Sequence, residues 1–134
     1  MTFTPYLYFD GDCEAAMDFY TDVFGATEVQ KIRYSEAPAD QNLPSTDKIM
    51  YSHIMLGDHC LMGSDMPPGT PVQPQASVAI NHSVPDTETG RALFDALGED
   101  GTVTMPFAET FFSPGFGMLR DRFGTSWMIG VPPT

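Results

Sequence analysis

Few side chains in this chain could hold a divalent cation or move a proton. There are three histidines, His53, His59 and His82, and two cysteines, Cys13 and Cys60; among the 18 acids, Asp65 and Glu109 stand at the ends of strand candidates. His53 and Asp65 are the pair that a metal site could use, since imidazole and carboxylate both ligate such ions. His82 is in register with Val78, Ile80 and Val84, the face expected to pack on a helix, where a hydrogen-bonded structural role is the commoner one. His59 adjoins Cys60, but successive strand residues point to opposite faces, so that imidazole does not activate that thiol. Both cysteines read as reduced packing residues, because a lone pair in a chain without a secretory signal seldom bridges.

The elements that must position these groups follow from local patterning. Phe3–Phe9 is aromatic and β-rich and closes at Asp10-Gly11-Asp12. Asp12 is placed to cap a helix in which Ala16, Phe19, Tyr20, Val23 and Phe24 recur at helical spacing up to Gly25. Glu28–Tyr34 reads as a strand, Ser35–Asp47 as a polar loop, and Ile49–Leu56 with His59–Met62 as a hairpin about Gly57-Asp58. That hairpin puts Leu56 and Leu61 on one face and His53 on the other. Residues 67–75 hold Pro67, Pro68, Pro71 and Pro74 and read as a linker. The order then repeats: strand Ala76–Val84, a helix capped by Asp86 and ending at Gly98, and strands Thr102–Phe107, Phe116–Arg122 and Ser126–Val131.

The repeat has a measure. Asp12 and Asp86 are 74 residues apart, Gly25 and Gly98 are 73 apart, and Gly57–Gly63 aligns with Gly124–Gly130 at an offset of 67. Each half reads β-α-β-β-β and could not close a core alone. The expectation is one 134-residue domain, with module one over about 1–66 and module two over about 76–134.

Charge narrows the partners. With 18 acidic and 6 basic residues the formal charge is −12, a field that repels nucleic-acid phosphates and anionic membrane surfaces. No run approaches the 18 apolar residues of a membrane span, and the N-terminus is no signal peptide, so a cytoplasmic protein is expected.

The sequence resembles the PhnB-like branch of the vicinal-oxygen-chelate (glyoxalase/bleomycin-resistance/dioxygenase) superfamily, a branch often labelled 3-demethylubiquinone-9 3-methyltransferase-like. The resemblance is carried by Pro5–Cys13, Ala16–Tyr20, Phe24–Ala26, Leu61–Asp65, Gly101–Pro106, Glu109–Phe112, Gly115–Gly117 and Asp121–Ile129, in order and at matching intervals. Phe112 stands where the branch usually has Trp. The resemblance implies an α+β fold, two βαβββ modules forming a curved eight-stranded mixed sheet around a cleft, and a homodimer. The methyltransferase label gains no support, since no glycine-rich βαβ fingerprint is present.

Metal-dependent members of the superfamily place His or Glu early in each module's first strand and Glu in its last. Counting carries these positions to Pro5, Leu61, Ala79 and Met128, with Thr4 or Tyr6 replacing Pro5 if the Asp10-Gly11-Asp12 corner is bulged. None of the four counted residues ligates a hard divalent ion, so neither metal nor other cofactor is expected, with His53 and Asp65 the alternative ligands. Tyr6, Leu61, Asp65, Ala79, Asn81, Glu109, Phe112 and Met128 are expected to line a ligand-binding cleft, largely apolar, with Asn81 orienting a polar group of the ligand. The first expectation of function is thus a metal-free protein that binds a small, partly apolar molecule. The alternatives are a metal-dependent glyoxalase-type lyase, isomerase or dioxygenase, and an interaction module whose cleft is packed shut.

Overall fold

A computed structural model describes residues 1–41 and 45–133; residues 42–44 of the Ser35–Asp47 loop lie outside the described residues. The chain divides into two compact units, Met1–Gln73 and Pro74–Thr134. The first contains β1 (Tyr6–Phe9), α1 (Cys13–Phe24), β2 (Glu28–Arg33), short 3-10 turns at Tyr34–Glu36 and Ala39–Gln41, β3 (Ile49–Leu56) and β4 (His59–Asp65). The second contains β5 (Ile80–Ser83), α2 (Thr87–Leu97), β6 (Thr102–Thr110), β7 (Ser113–Arg120) and β8 (Ser126–Gly130). Each is a βαβββ module, and the eight strands form two four-stranded mixed sheets, ordered β1-β4-β3-β2 and β5-β8-β7-β6. In each the first strand runs parallel to the last, and the remaining pairs are antiparallel.

Both helices lie where their spacing puts them, but their caps differ. Asp86 Oδ1 accepts the Thr89 N–H at 2.7 Å, as an N-cap carboxylate should. Asp12 occupies the N-cap position of α1 without a side-chain cap hydrogen bond. The first turn of α1 is held from across the sheet instead: Asp65 Oδ1 accepts the N–H groups of Gly11 and Cys13, each at 2.9 Å. At the other end Gly25 takes φ 69°, a left-handed conformation that costs glycine nothing, and returns its N–H to Thr21 O.

The strands differ from their sequence-based bounds where backbone geometry intervenes. β5 begins at Ile80, not Ala76, because Ser77 has φ 58° and interrupts the extended chain. Val78, expected on the helix-covered face, is consequently 72% exposed. β4 continues past Met62 to Asp65, paired throughout with β1.

Each helix covers one face of its own sheet. Between α1 and its sheet, Cys13, Ala16, Met17 and Tyr20 of the helix and Leu7, Phe9 and Ile54 of the strands are all buried, with Cys13 Sγ 3.5 Å from Ser52 Oγ. Lys31 and Arg33, on that same side of β2, pair with Glu14 and Asp18 of α1. Under α2 lie Phe94, Leu97, Phe107, Leu119, Trp127 and Ile129. The Phe107 and Phe94 rings come so close to Gly90, Gly115 and Gly117 that a Cβ at any of the three would sit 2.7 Å from an aromatic carbon. Burying a large apolar side chain contributes about 1.5–3 kcal/mol, so these two layers hold the modules together.

Candidate functional site on the uncovered sheet faces

Strand alternation decides which residues reach the face that no helix of the same unit covers. In unit one, Ser52 and Ile54 point to α1, and Leu61 is the Cα partner of Ile54. Leu61 therefore lies on the helix-covered face, a correction to its expected place in the cleft. The uncovered face carries Tyr6, Met62, His53 and Gln30 as one row across the four strands. Tyr8 lies beside Tyr6, their rings 5.1 Å apart. In unit two, Ile80 and His82 pair with the buried Trp127 and Ile129 on the α2 side. The opposite row is Asn81, Met128, Met118 and Met105. Phe116 faces the same way, and the Phe112 ring, from the β6–β7 turn, meets it edge-on at 5.1 Å.

These rows correct the counted positions. Aligning the Gly57–Gly63 and Gly124–Gly130 segments shifts β4 one residue against β8, and a one-residue slip exchanges the faces of a strand. Gly63 pairs with Leu7 on the α1 side, whereas Gly130 pairs with Ser83 on the uncovered side. By face and register, Met62 corresponds to Met128 and Tyr6 to Asn81. Pro5 lies just before β1, its carbonyl accepting the Met62 N–H. Ala79, exposed, precedes β5.

Of the acids expected in the cleft, neither is there. Asp65 is 1% exposed and accepts three backbone N–H groups, from Gly11 and Cys13 on Oδ1 and from Ile49 on Oδ2, all at 2.9 Å. It is a structural carboxylate on the α1 side, opposite the face of His53, so the two cannot share an ion. Glu109 lines an open groove of about 520 Å³ on the α2 side with Thr87, Glu88, Arg91, Phe107 and Pro114. The Arg91 guanidinium there lies 5.2 Å from the Phe107 ring centre and donates to Phe107 O.

His53 is the most organised polar group on either uncovered face. Its Nδ1 is 2.9 Å from Tyr51 Oη, its ring meets Tyr51 at a 62° angle, and its Nε2 lies 3.8 Å from Glu28 Oε1. Burial is the main cause that raises the Tyr51 phenol above its ordinary value, and the nearby Cys60 and Tyr6 add to it. Burial and the neighbouring Glu28 raise the Cys60 thiol. Burial pushes the Cys13 thiol up to about 12, so it is an inert core group.

The residues at the positions where the resemblance implies metal ligands do not fit a hard divalent ion. Tyr6, Met62, Asn81 and Met128 offer a phenol, an amide and two thioethers, without the carboxylate or imidazole that a hard divalent ion takes. Among the described residues, no three of His, Cys, Asp and Glu come together as a ligand set.

A model of the 3-demethylubiquinone-9 3-methyltransferase family matches residues 1–130. The chain belongs to that family. Relatives similar to it include protein YjdN of Escherichia coli, 32% identical over 98% of this chain and 95% of the relative. The crystal structure of protein PA1353 from Pseudomonas aeruginosa is 34% identical, with TM-score 0.88 and 98% of each chain covered. The PhnB protein of Bacillus cereus is 25% identical, with TM-score 0.73 over 98% of this chain and 99% of that one. More distant structures, a glyoxalase-related enzyme from Fulvimarina pelagi and a glyoxylase/bleomycin resistance protein/dioxygenase domain from Frankia sp., share the fold. The turns before the helices read Asp10-Gly11-Asp12 and Val84-Pro85-Asp86.

Proposed function

We propose that the family member described here is a binding protein whose uncovered sheet face in unit two holds a small, partly apolar molecule without the superfamily's divalent ion. One observation carries this: Tyr6 with Met62, and Asn81 with Met128, set a phenol, an amide and two thioethers where a chelating protein needs carboxylates and imidazoles. Methionine side chains adapt to irregular apolar ligands, and Asn81 supplies one amide to orient a polar group. Phe112 and Phe116 add an aromatic wall. The same proposal has the two units forming one domain, two chains forming a homodimer, and the protein working in the cytoplasm. No helix among the described residues is long and apolar enough to cross a membrane.

The test is a thermal-shift screen of small aromatic and heteroaromatic compounds. At about 100 times its Kd a ligand stabilises by roughly 2.7 kcal/mol, so a hit raises Tm by several degrees. Asn81→Leu and Met128→Asp should each remove that shift while leaving the unliganded Tm within a few degrees. A hit whose shift survives both substitutions contradicts the assignment. Absence of any shift favours a face closed by packing.

A further inference from the structure

The β3–β4 hairpin repeats one donor pattern on both of its strands: His53-Ile54-Met55 and Cys60-Leu61-Met62. Residues two apart on a strand share a face, so Ile54 and Leu61 turn to α1 and the four donors turn to the uncovered side. The register pairs His53 with Met62 and Met55 with Cys60. The donors therefore stand at the corners of a two-by-two patch, with about 5 Å between strands and about 6.8 Å along them.

We propose that this patch is a binding site for one soft monovalent metal ion, Cu(I), held by the Cys60 thiolate, the His53 imidazole and the thioethers of Met55 and Met62. The donor set selects the ion. Thioethers and thiolate are soft ligands that suit Cu(I), while carboxylate and water suit the hard divalent ions. Binding moves one proton, from the Cys60 thiol to solvent, and changes no oxidation state.

The surroundings of His53 match those of a metal-bound imidazole. Its Nδ1 is engaged by Tyr51 Oη at 2.9 Å, which fixes the ring, while Nε2 stands 3.8 Å from Glu28 Oε1 on β2 and takes the ion by exchanging that partner for it. Glu28, with its side chain 67% exposed and 3.8 Å from Nε2, adds negative charge beside the patch. The His53 side chain is 16% exposed, and Met55, Cys60 and Met62 are half-buried, so an ion there is shielded yet reachable. The site lies within unit one and stands whether or not the small-molecule proposal holds.

The experiment titrates the full chain, reduced and anaerobic, against the coloured Cu(I)–bicinchoninate complex. Wild-type protein should withdraw one equivalent of Cu(I) per chain, and excess Zn(II) should not release it. Cys60→Ser, His53→Gln and Met62→Leu should each weaken binding at least about tenfold, and Tyr51→Phe by roughly tenfold through loss of the orienting partner. Cys13→Ser should bind as wild type does, because that thiol is buried under α1. Far-UV circular dichroism confirms that each variant is folded. The proposal is overturned if folded wild-type protein withdraws no Cu(I). It is equally overturned if only Cys60→Ser matters, since a lone thiol then accounts for the binding.

Discussion

Replacing Asp65 by Asn keeps the size of the side chain and removes its charge and one acceptor. In the native structure the carboxylate takes Gly11 N–H and Cys13 N–H on Oδ1 and Ile49 N–H on Oδ2, each at 2.9 Å, at 1% exposure. An amide oxygen can keep the Gly11–Cys13 side, but its NH₂ then faces the Ile49 N–H and leaves it unsatisfied, at about 1–3 kcal/mol. The two retained bonds fall from charge-assisted to neutral, losing roughly 1 kcal/mol each. The total is about 3–5 kcal/mol, a large share of the 5–15 kcal/mol typical of a domain. Urea denaturation followed by far-UV circular dichroism should show the midpoint lowered by roughly 2 M with the slope unchanged. Glu109→Gln, at an exposed groove position, should stay within about 0.5 kcal/mol. If Asp65→Asn costs less than about 1 kcal/mol, Asp65 is not the group that ties β4 to the first turn of α1.

The face assignment has its own test in neighbouring residues. Leu61→Glu turns a charge toward α1 and should cost about 2–4 kcal/mol, at least twice the cost of Met62→Glu on the uncovered face; equal costs contradict the register. Sedimentation velocity at micromolar concentration should show a dimer, and a stable monomer counts against the assembly proposed above.

How much of this could be read from the sequence depends on how local each signal is. Helix positions followed from residues within one turn of each end, and Asp86 caps α2 as its position requires. The α1 cap was not legible, because its acceptor, Asp65, is 52 residues from Cys13 and no local pattern announces it. The repeat was legible as a β-α-β-β-β order, but the matched glycines misled its register. Gly57 belongs to a two-residue turn between Leu56 and His59, whereas Gly124 lies in a five-residue connection between Arg120 and Ser126. That connection is closed by Asp121, which accepts from Phe123 N, Thr125 N and Trp127 Nε1. The extra length reverses which residues of the last strand face the helix, and so Met62, not Leu61, is the counterpart of Met128. His53 and Met62 could have been placed together from the hairpin alone, since the Gly57-Asp58 turn already fixes which residues share a face.

The account's central claim is that Tyr6, Met62, Asn81 and Met128 on the uncovered faces offer no ligand for a hard divalent ion. Elemental analysis of protein purified without chelator tests it directly. The account predicts less than about one tenth of an equivalent of nickel, zinc, iron or manganese per chain, since neutral thioether and amide donors give such ions little affinity. A stoichiometric divalent ion that survives gel filtration would contradict it and would restore a metal-dependent lyase, isomerase or dioxygenase as the better account.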